Sequence, residues 1–600
     1  MQMESEIKRT GVKELAEECQ VLIVGGGMSG LCAAIASARN GAKTILVHNR
    51  PVLGGNASSE IRMHICGADN HSSKPNARET GILEEILLEN KYFNPEYSYA
   101  LFDMVLWGKV ISEPNLKVLL NTHMTEVETS GNEITCVHAV QMTNETAYII
   151  RADVYVDSTG DGTLGALAGA HYMYGREGRD VFGEDIAPEK SDGHTMGNSL
   201  MFTARDIGRD IEFRKPEWAY SYDEASLASR DHDSVKSGYW WIELGGGTEH
   251  TIDDAEQIRD ELVKSVTGVW DHIKNGGDHG AGRYLMDWMG FYPGKRESRR
   301  LKGDYVLTAN DCLNGARFPD AVAYGGWHID NHIVNGLLTA DREPTKCYDL
   351  KDVYAIPYRC LYSENIANLF LGGRAISCSH MAFASSRVMG TCSVVGQAVG
   401  TAAAYAAQSK RLPKELADDM QEIQQRLVRD DCFIPGVRNT TSLTVTKECK
   451  VKASSSLTGC GADEITTGKY RTDNERSHCW KSDGVSGRGE WLEIDFAEPA
   501  EVSELRLVFD SDLSREITIT VSEYSLGKQV KGTPPELVKD YDLELYDGDA
   551  LAATVERRDN YQRLNVIALG KSVRCDKIKL TCYSTHGSPN VAVFGVDAYE

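Results

Sequence analysis

The chain has 600 residues and a formal net charge of −24, with 41% hydrophobic and 25% charged residues. Because one hydrophobic core rarely serves such a length, two or three domains are expected. The acidic balance disfavours nucleic acid or anionic lipid as partners. No stretch approaches the roughly 18 apolar residues of a membrane span, and the start has no apolar signal segment, which favours a cytoplasmic protein. The fifteen cysteines form no C-x-x-C pair, which favours reduced, scattered thiols.

An apolar run that breaks into glycines opens the first domain. Val21–Val24 is predicted to be a buried parallel strand, and the small residues after Gly30 are predicted to form a helix packed on the sheet. Residues up to about Cys19 are expected to form a polar lead-in with some helical character. The glycines fit the G-x-G-x-x-G spacing, in which a tight turn, a pyrophosphate and a helix–strand contact each exclude a side chain. This pattern predicts a dinucleotide site at Gly25, Gly27, Met28, Ser29 and Gly30.

A second strand at residues 43–47 completes a βαβ unit. The acid that usually binds the adenosine ribose at the end of this strand is absent. His48, Asn49 and Arg50 stand there instead, and His48 or Asn49 could bond a ribose hydroxyl. The missing acid weakens the case for NAD.

Two further glycine-rich turns predict close approach of the backbone to a cofactor. The first spans residues 51–62, with candidate contacts at Gly54, Gly55, Asn56, Ser58, Ser59 and Arg62. Helices are expected at about 80–89 and 99–110, followed by a small strand meander at 116–120, 133–142 and 147–150. A strand at 154–156 then leads into D-S-T-G-D-G, which places Gly160 and Asp161 beside the nucleotide.

The three segments G-G-G-x-x-G, P-V-L-G-G-N and V-D-S-T-G-D-G resemble FAD-dependent oxidoreductases of the glutathione-reductase/succinate-dehydrogenase type. A strand entering G-G-R-A-I-S at 368–377 and a small-residue helix at 391–403 extend the resemblance, which covers about residues 20–430. It implies FAD as cofactor, and a helix whose N-terminus faces the flavin pyrimidine edge and stabilises negative charge there. Gly373, Arg374 and Gly396 join the expected cofactor contacts.

Residues 166–355 lack the nucleotide-binding pattern and are rich in Trp, Tyr and His, and the resemblance implies a substrate cap there. Residues 295–302 carry five cations in eight positions. They resemble an arginine-bearing segment of the family in which one or two arginines point to the active site and others form ion pairs. Arg299 is the catalytic candidate, and a solvated face or a structural network is the alternative.

His328, Asp330 and His332 would share one face of a strand. Their composition suits a metal site, an acid–base relay, a structural network or substrate contact. Since flavin chemistry needs no metal, none is predicted. His380, just after the G-G-R-A-I-S turn, is the preferred catalytic base. An imidazole can accept a hydroxyl proton near neutral pH while hydride leaves carbon for flavin N5. A packed histidine that bonds a carbonyl is the alternative.

From about Asn439, short alternating strands with Gly, Ser and Asp turns predict an antiparallel sandwich. The run from Cys479 to Gly484, E-W-L-E-I-D-F and the closing V-A-V-F resemble the discoidin or galactose-binding-like jelly roll. The resemblance implies sugar binding through Trp480 or Trp491. Burial of these tryptophans in the core, dimerisation of the module, and a cover over the substrate cleft are the alternatives.

The predicted fold class is α/β: a Rossmann-like FAD-binding domain in two parts (1–165 and 356–435), an inserted α+β substrate domain (166–355) and a β-sandwich (439–600). We expect noncovalent FAD and hydride transfer between flavin N5 and a small-molecule substrate, preferably a sugar or glycoside hydroxyl. The alternatives are a fumarate-reductase-like ene-reductase, a lyase or hydrolase that uses the flavin to cleave a glycosidic bond, and a non-catalytic sugar-binding protein. A homo-oligomer is compatible with each.

Overall fold

Short strands and helices alternate through the first three quarters of the chain, and long strands dominate the remainder. The structure, a computed structural model, describes residues 11–236, 239–339, 341–474, 476–485 and 488–600. The helices are α1 Met28–Arg39, α2 Ile82–Phe93, α3 Tyr99–Ile111, α4 Thr163–Leu167, α5 Arg179–Phe182, α6 Ala255–Asp271, α7 Ala309–Asn314, α8 His380–Ser386, α9 Met389–Ser409, α10 Met420–Arg429, α11 Leu443–Thr446 and α12 Glu523–Lys528. The strands are β1 Lys13–Val24, β2 Thr44–Val47, β3 Leu116–Leu119, β4 Thr122–Ser130, β5 Glu133–Gln141, β6 Thr146–Asp157, β7 Tyr172–Met173, β8 Asn198–Ser199, β9 Phe202–Asp206, β10 Glu243–Leu244, β11 Tyr284–Met289, β12 Gly294–Lys295, β13 Arg300–Leu301, β14 Ala321–Gly325, β15 Ile329–His332, β16 Thr345–Tyr348, β17 Tyr354–Pro357, β18 Leu369–Leu371, β19 Cys449–Ala453, β20 Trp480–Lys481, β21 Glu490–Phe509, β22 Val538–Asp547, β23 Ala550–Arg557, β24 Leu564–Thr585 and β25 Ala592–Tyr599.

The first sheet carries the glycine turns at the ends of its strands. Its order is β3–β2–β1–β6–β5–β4, and β18 also pairs with β6. Strands β3, β2, β1, β6 and β18 run parallel, whereas β4 and β5 are antiparallel. Residues 21–24 and 44–47 are buried throughout, as expected for parallel strands covered on both faces. The mixed α/β architecture of this part is therefore confirmed.

Two sequence predictions for this sheet are wrong. Residues 13–19 of the lead-in are not helical, because β1 begins at Lys13 and its polar residues pair with the start of β6, whereas residues 1–10 lie outside the described residues. The strand at 116–119 is not part of a meander but a parallel strand beside β2. The antiparallel partner of β5 is β4, which the sequence does not reveal because its side chains are mostly polar and exposed.

Residues 166–355 contribute to two hydrophobic clusters. Segments around α7 and β14 pack into the main core with the first sheet. A second cluster surrounds α6, whose amphipathic sequence buries one face. Its buried members include Leu200, Phe202, Leu227, Trp241, Leu262, Trp270, Ile273 and Ala281. The predicted boundaries of the substrate domain stay a prediction.

The C-terminal region, residues 439–600, forms a separate antiparallel sheet in the order β20–β25–β21–β24–β22–β23, with β19 beside β21. Strands β21 and β24 are 20 and 22 residues long and shift register where they bend. Trp480 is fully buried, and its indole N–H donates to the Ser455 carbonyl at 2.9 Å. Trp480 is therefore a core residue and offers no surface to a sugar, whereas Trp491 is partly exposed. Within the described residues, no helix combines the length and apolar character needed to cross a bilayer.

Buried polar contacts hold the C-terminal region against the part of the chain that contains the first sheet. The Arg563 guanidinium pairs with Asp431 at 2.8 Å, and the Arg78 guanidinium donates to the Asp512 carbonyl at 2.8 Å. Glu516 extends further and bonds His64 and His71, which follow the second glycine turn. The C-terminal region therefore contacts the loop of residues 64–71.

Acidification is expected to weaken this docking through Glu516. Burial raises the pKa of this carboxyl, but hydrogen bonds from His64 (2.7 Å) and His71 (3.0 Å) outweigh burial and bring the pKa to about 2. A carboxyl with a depressed pKa stabilises the folded state above its ordinary pKa of 4.5, and this contribution is lost as pH falls through about 2. Across this interval the Tm of the wild type should fall more steeply than that of Glu516→Gln, as measured by calorimetry. Equal slopes would contradict the assignment.

Candidate functional site

The first glycine turn combines two sites without room for a side chain and one that faces open space. A Cβ on Gly25, whose φ is +105°, would lie 2.2 Å from the Ser158 carbonyl oxygen, and a Cβ on Gly30 would lie 1.8 Å from the Gly25 oxygen. A Cβ on Gly27 would meet nothing closer than 4.0 Å. Gly27 precedes α1, whose first turn carries no acidic residue. This open helix N-terminus suits a phosphate group.

The second glycine turn packs directly on the first. Gly54 forms a β-bridge with Gly27, and its N–H donates to the Gly26 carbonyl at 2.9 Å. A Cβ on Gly55 would lie 3.0 Å from the Gly27 Cα. The main chains of the two turns therefore lie directly against each other.

His48 holds these turns together. Its Nδ1 accepts the Gly26 N–H at 2.9 Å, and its Nε2 donates to the Val52 carbonyl at 3.1 Å. Burial lowers the pKa of His48 to about 4, so the ring is neutral at physiological pH. Both ring nitrogens are used by the main chain, which corrects the expectation that His48 bonds the ribose. Asn49 is exposed at the predicted ribose position, and Arg50 pairs with Glu60 at 2.9 Å.

The polar residues of the second turn have varied partners. The Asn56 side-chain amide donates to the Lys295 carbonyl at 3.3 Å, and the Ser59 N–H donates to Asp103 at 3.1 Å. The Arg62 guanidinium lies 4.1 Å from the Trp288 ring. The Asn56 and Arg62 contacts tie the turn to β12 and β11 of the predicted substrate domain, and the Ser59 contact ties it to α3.

Asp161 joins the D-S-T-G-D-G turn to the G-G-R-A-I-S turn. Its carboxylate contacts Lys295 at 2.7 Å, Arg374 at 3.0 Å and the Ser298 hydroxyl at 2.8 Å. Burial raises the pKa of Asp161, but Lys295 and Arg374 outweigh burial and hold it below the usual range. A Cβ on Gly160 would lie 2.9 Å from the Arg374 guanidinium, and Gly160 has a φ of +81°. Both predicted cofactor residues of this turn therefore lie beside Arg374.

Buried polar atoms on these turns fit a dinucleotide. Among the described residues, the hydroxyls of Ser29, Ser58 and Ser158 and the Arg374 Nε are buried without a hydrogen-bond partner. A Cβ on Gly372 would lie 2.5 Å from the Ser158 hydroxyl and 3.3 Å from that of Ser29, so these two hydroxyls lie next to the same glycine. Unpaired buried donors are costly, and phosphate or ribose oxygens would satisfy them.

The structure gives Gly396 a packing role, and its predicted cofactor contact stays a prediction. This residue lies in the middle of α9, where a Cβ would be 2.1 Å from the Ser29 carbonyl oxygen. Gly400, one turn later, approaches the Ala33 carbonyl equally closely. These glycines let α9 pack against α1, which accounts for the absence of side chains without a cofactor contact. The first turn of α9 carries no acidic residue, and the Thr391 hydroxyl there is among the unpaired buried atoms.

His380 begins α8 and is 1% exposed. Its Nδ1 lies 3.0 Å from Glu297, and its Nε2 lies 3.2 Å from the Asn331 side-chain oxygen. Burial raises the pKa of Glu297, but His380 and Arg300 outweigh it and hold this carboxyl below its usual range. A carboxylate at Nδ1 fixes the orientation of an imidazole and leaves Nε2 for proton transfer.

Of the two adjacent arginines, the structure brings Arg300 and not Arg299 to this histidine. Arg300 is fully buried and pairs with Glu297 and Glu177. Arg299 is partly exposed and lies 3.4 Å from the Asp161 carbonyl, and its catalytic role stays a prediction. The sequence does not show which of the two arginines is buried. Neighbouring residues of an extended chain point to opposite faces, and the two side chains are identical.

The strand β15 divides its polar residues between two faces. Asp330 and His332 lie on one face, 3.1 Å apart, and the other nitrogen of His332 lies 2.6 Å from Glu243. With carboxylates at both nitrogens, His332 is enclosed in a polar network, and both of its ring nitrogens are already in contact with protein groups. His328 precedes the strand and bonds Asn70 at 2.7 Å. Asn331, on the opposite face, reaches His380.

The sequence does not single out Glu297, Asn331 or Glu243. Glu297 is the one acid among the cations of residues 295–302, and Asn331 lies within the G-G-W-H-I-D-N-H segment. An acid enclosed by cations is a usable signal for a buried pair. Glu243 carries no comparable signal.

Arg374→Gln is expected to weaken cofactor binding about ten- to a hundredfold, because a charged hydrogen bond contributes about 1.5–3 kcal/mol. Asp161 would keep Lys295 and Ser298 as partners, so the turn should persist. A matched control is Arg359→Gln, which removes an arginine paired with Asp320. Fluorescence titration of the apoprotein with FAD measures both. An unchanged affinity for Arg374→Gln would exclude its contact with the cofactor.

Comparison with known proteins gives one family match. The sequence model of the family described as FAD dependent oxidoreductase matches residues 20–427. No curated protein matches the chain.

Solved structures similar to this chain include carbohydrate-binding modules. A fucose binding module of Streptococcus pneumoniae is 18% identical, with 27% of this chain and 98% of that module covered and a TM-score of 0.21. The family 32 carbohydrate-binding module of Streptococcus pneumoniae EndoD is 19% identical, with 26% and 98% covered and a TM-score of 0.20. That of Clostridium perfringens NanJ, solved with galactose, is 14% identical, with 27% and 98% covered and a TM-score of 0.20. The family match is far more extensive and spans more than half of the chain. The protein therefore belongs to the FAD-dependent oxidoreductases, and FAD is its cofactor.

Proposed function

We propose that the protein oxidises a hydroxyl group of a sugar or glycoside and that His380 accepts the hydroxyl proton. The observation that carries the proposal is the pairing of His380 Nδ1 with the buried Glu297 carboxylate at 3.0 Å. When bound, FAD supplies the hydride acceptor at flavin N5.

Glu297 acts by fixing the tautomer of His380. Its carboxylate accepts the Nδ1–H, so the neutral ring presents a lone pair at Nε2. Proton transfer from a substrate hydroxyl to Nε2 gives an imidazolium that the same carboxylate stabilises. Arg300, bonded to Glu297, Glu177 and the Cys378 carbonyl, holds the carboxylate in place.

Asn331 is suited to position the hydroxyl. Its amide lies 3.2 Å from His380 Nε2 and can present either its oxygen or its NH₂ group. A hydroxyl that contacts both the amide and Nε2 would lie at hydrogen-bond distance from the base. This arrangement supports proton abstraction from oxygen.

Aromatic residues favour a carbohydrate among polar substrates. Trp240 is 39% exposed and lies 5.4 Å from the His332 ring, edge to face. Exposed indole rings offer an apolar surface that stacks on the C–H face of a sugar ring. The partly exposed carboxylate of the neighbouring Asp330 is an acceptor for a sugar hydroxyl.

The buried arginines favour this reaction over the ene-reductase alternative. Clamping a substrate carboxylate requires a guanidinium with free donors. Arg300 is bound to two carboxylates and two carbonyls. Arg296 donates to the Ser199 hydroxyl and the Trp240 carbonyl.

Anaerobic bleaching of the flavin absorbance by a panel of sugars and glycosides tests the proposal. One class of sugar should bleach the wild type and yield a carbonyl product, and His380→Ala should bind FAD but bleach far more slowly. Reoxidation of the reduced protein by unsaturated acids, without bleaching by any sugar, would instead indicate an ene-reductase. Glycoside cleavage without net change in the flavin would indicate the lyase or hydrolase alternative.

A further inference from the structure

Four side chains converge in the region around α6, away from the flavin turns. We propose that Glu224, His232, His272 and His279 bind one divalent transition-metal ion, with Zn²⁺ as the best match. One ligand atom from each lies within 4.8 Å of all the others. Flavin chemistry does not require this ion, so the proposal is independent of the substrate proposed above.

The separations match a tetrahedral centre. Glu224 Oε1 lies 3.2 Å from His272 Nε2 and 3.3 Å from His279 Nε2, and Glu224 Oε2 lies 3.4 Å from His232 Nε2. The Nε2 atoms of His272 and His279 are 3.3 Å apart. Metal bonds of about 2.0–2.1 Å in a tetrahedron place ligand atoms about 3.3 Å from one another. The four separations given above are close to this value, and the remaining ligand atoms lie within 4.8 Å of one another.

The tautomer of His232 argues for a cation between the groups. Its Nδ1 lies 2.5 Å from the Arg230 carbonyl oxygen, which can only accept, so Nδ1 carries the proton. In the neutral ring Nε2 is then a lone pair that faces the Glu224 carboxylate at 3.4 Å. Two acceptors at this distance repel unless a proton or a metal ion lies between them. A backbone carbonyl at Nδ1 is also the usual outer partner of a metal-bound histidine.

His272 is placed by an irregular turn of the chain. It is 2% exposed. His272 begins a π-helical turn, His272–Gly276, that follows α6. Single π-turns in α-helices occur frequently at functional sites.

The glycines of the following loop leave room for the cluster. A Cβ on Gly277 would lie 2.6 Å from His279 Nε2 and 3.1 Å from Glu224 Oε1. A Cβ on Gly276 would lie 2.8 Å from the His272 Nδ1. Side chains at either position would displace the proposed ligands.

The ligand set and exposure indicate a structural ion with access to solvent. Three imidazoles and one carboxylate suit Zn²⁺, and four protein ligands leave no open position for catalysis. The Glu224 side chain is 65% exposed, which gives the ion an entry path, whereas the three histidines are nearly buried. The ion would tie residues 224–232 to the end of α6 beside the second hydrophobic cluster.

Metal analysis of the FAD-loaded full chain tests the site. After chelation, dialysis and addition of Zn²⁺, the wild type should retain about one equivalent, and X-ray absorption should show about four N/O ligands with histidine scattering. His279→Gln, which changes the most exposed of the three histidines, should lower Zn²⁺ affinity at least about tenfold. Matched controls are His194→Gln, outside any cluster, and His71→Gln, in the His64–Cys66–His71 group. Both should bind Zn²⁺ as the wild type does.

Two results would overturn the proposal. One is a wild-type protein that retains less than about a tenth of an equivalent of Zn²⁺ after dialysis. The other is unchanged affinity in a folded His279→Gln variant, with folding checked by circular dichroism and FAD content. If His279→Gln does not fold, the number of histidine ligands in the wild-type absorption spectrum decides, since fewer than two would exclude this cluster. Loss of Zn²⁺ in His71→Gln alone would move the site to the other group and reject the proposal.

Discussion

Replacing His380 with alanine is expected to lower kcat by about 10²–10⁴-fold while FAD stays bound, the usual contribution of a positioned general base. The imidazole is the group whose Nε2 is left for a proton once Nδ1 is held by Glu297. Alanine removes the acceptor, and the substrate hydroxyl must then lose its proton to water. Rapid-reaction measurement of flavin reduction isolates this step from reoxidation.

The controls separate loss of a base from loss of structure. His171, an exposed histidine paired with Glu364, is the matched position for a second alanine variant, which should reduce the flavin at the wild-type rate. Added imidazole should restore part of the rate of His380→Ala, since a small base can enter the vacated space. Turnover within about threefold of the wild type would show that His380 is only a packed histidine.

Glu297→Gln tests the positioning of that base. Glutamine keeps the shape but removes the charge that fixes the tautomer and stabilises the imidazolium. The rate of flavin reduction should fall, while KM changes little because Glu297 is fully buried and does not reach the substrate. Equal falls in the rate and in substrate affinity would point to a general distortion of the pocket.

Backbone-determined features were predictable from the sequence. Continuous apolar runs gave the parallel strands at 21–24 and 44–47 because burial on both faces excludes polar residues. The predicted helices at 80–89 and 99–110 correspond to α2 and α3. The polar extension of β1 from Lys13 was not predictable, since its pairing with β6 depends on main-chain hydrogen bonds rather than an apolar pattern.

Side-chain partners across long sequence distances were not predictable. His48 stands where an acid is expected, yet its role depends on contacts with Gly26 and Val52 that only the folded turns create. Arg299 and Arg300 have the same side chain, and only strand orientation decides which one reaches Glu297. The His232, His272 and His279 cluster has no short metal-binding spacing, so three dimensions are needed to find it.

A glycine in the sequence indicates that another group comes close to the main chain, but it does not show which group that is. Gly396 fits the cofactor pattern equally well whether its neighbour is the flavin or the backbone of α1. At the first turn the structure separates these cases, because Gly30 lacks space within the protein and Gly27 does not. A side chain at Gly27 is therefore expected to affect the cofactor contact without disturbing the protein, whereas one at Gly30 would disturb the protein itself.

Gly27→Ala is expected to fold normally but to lose FAD affinity at least about a hundredfold. The Gly27 φ is −65°, which alanine adopts without strain, and the nearest atom to the new Cβ is 4.0 Å away. A methyl group there would occupy the space in front of α1 where the pyrophosphate is expected. The Tm of the apoprotein should therefore stay near the wild-type value.

Gly30→Ala is the matched comparison and should destabilise the apoprotein itself. Its Cβ would lie 1.8 Å from the Gly25 carbonyl oxygen, so α1 must move away from the turn. Overpacking of this kind costs about 1–3 kcal/mol or more. Calorimetry of the apoprotein should show a lowered Tm for Gly30→Ala alone.

Adding FAD completes the test. At about 100 times its Kd, a ligand stabilises the protein that binds it by about 2.7 kcal/mol, so the wild-type Tm should rise and that of Gly27→Ala should not. If Gly27→Ala gains the same stability from FAD as the wild type, the pyrophosphate does not lie over Gly27. If its apoprotein is destabilised like Gly30→Ala, the open space at Gly27 has a structural role. Only the combination of an intact apoprotein and lost FAD stabilisation assigns this opening to the cofactor.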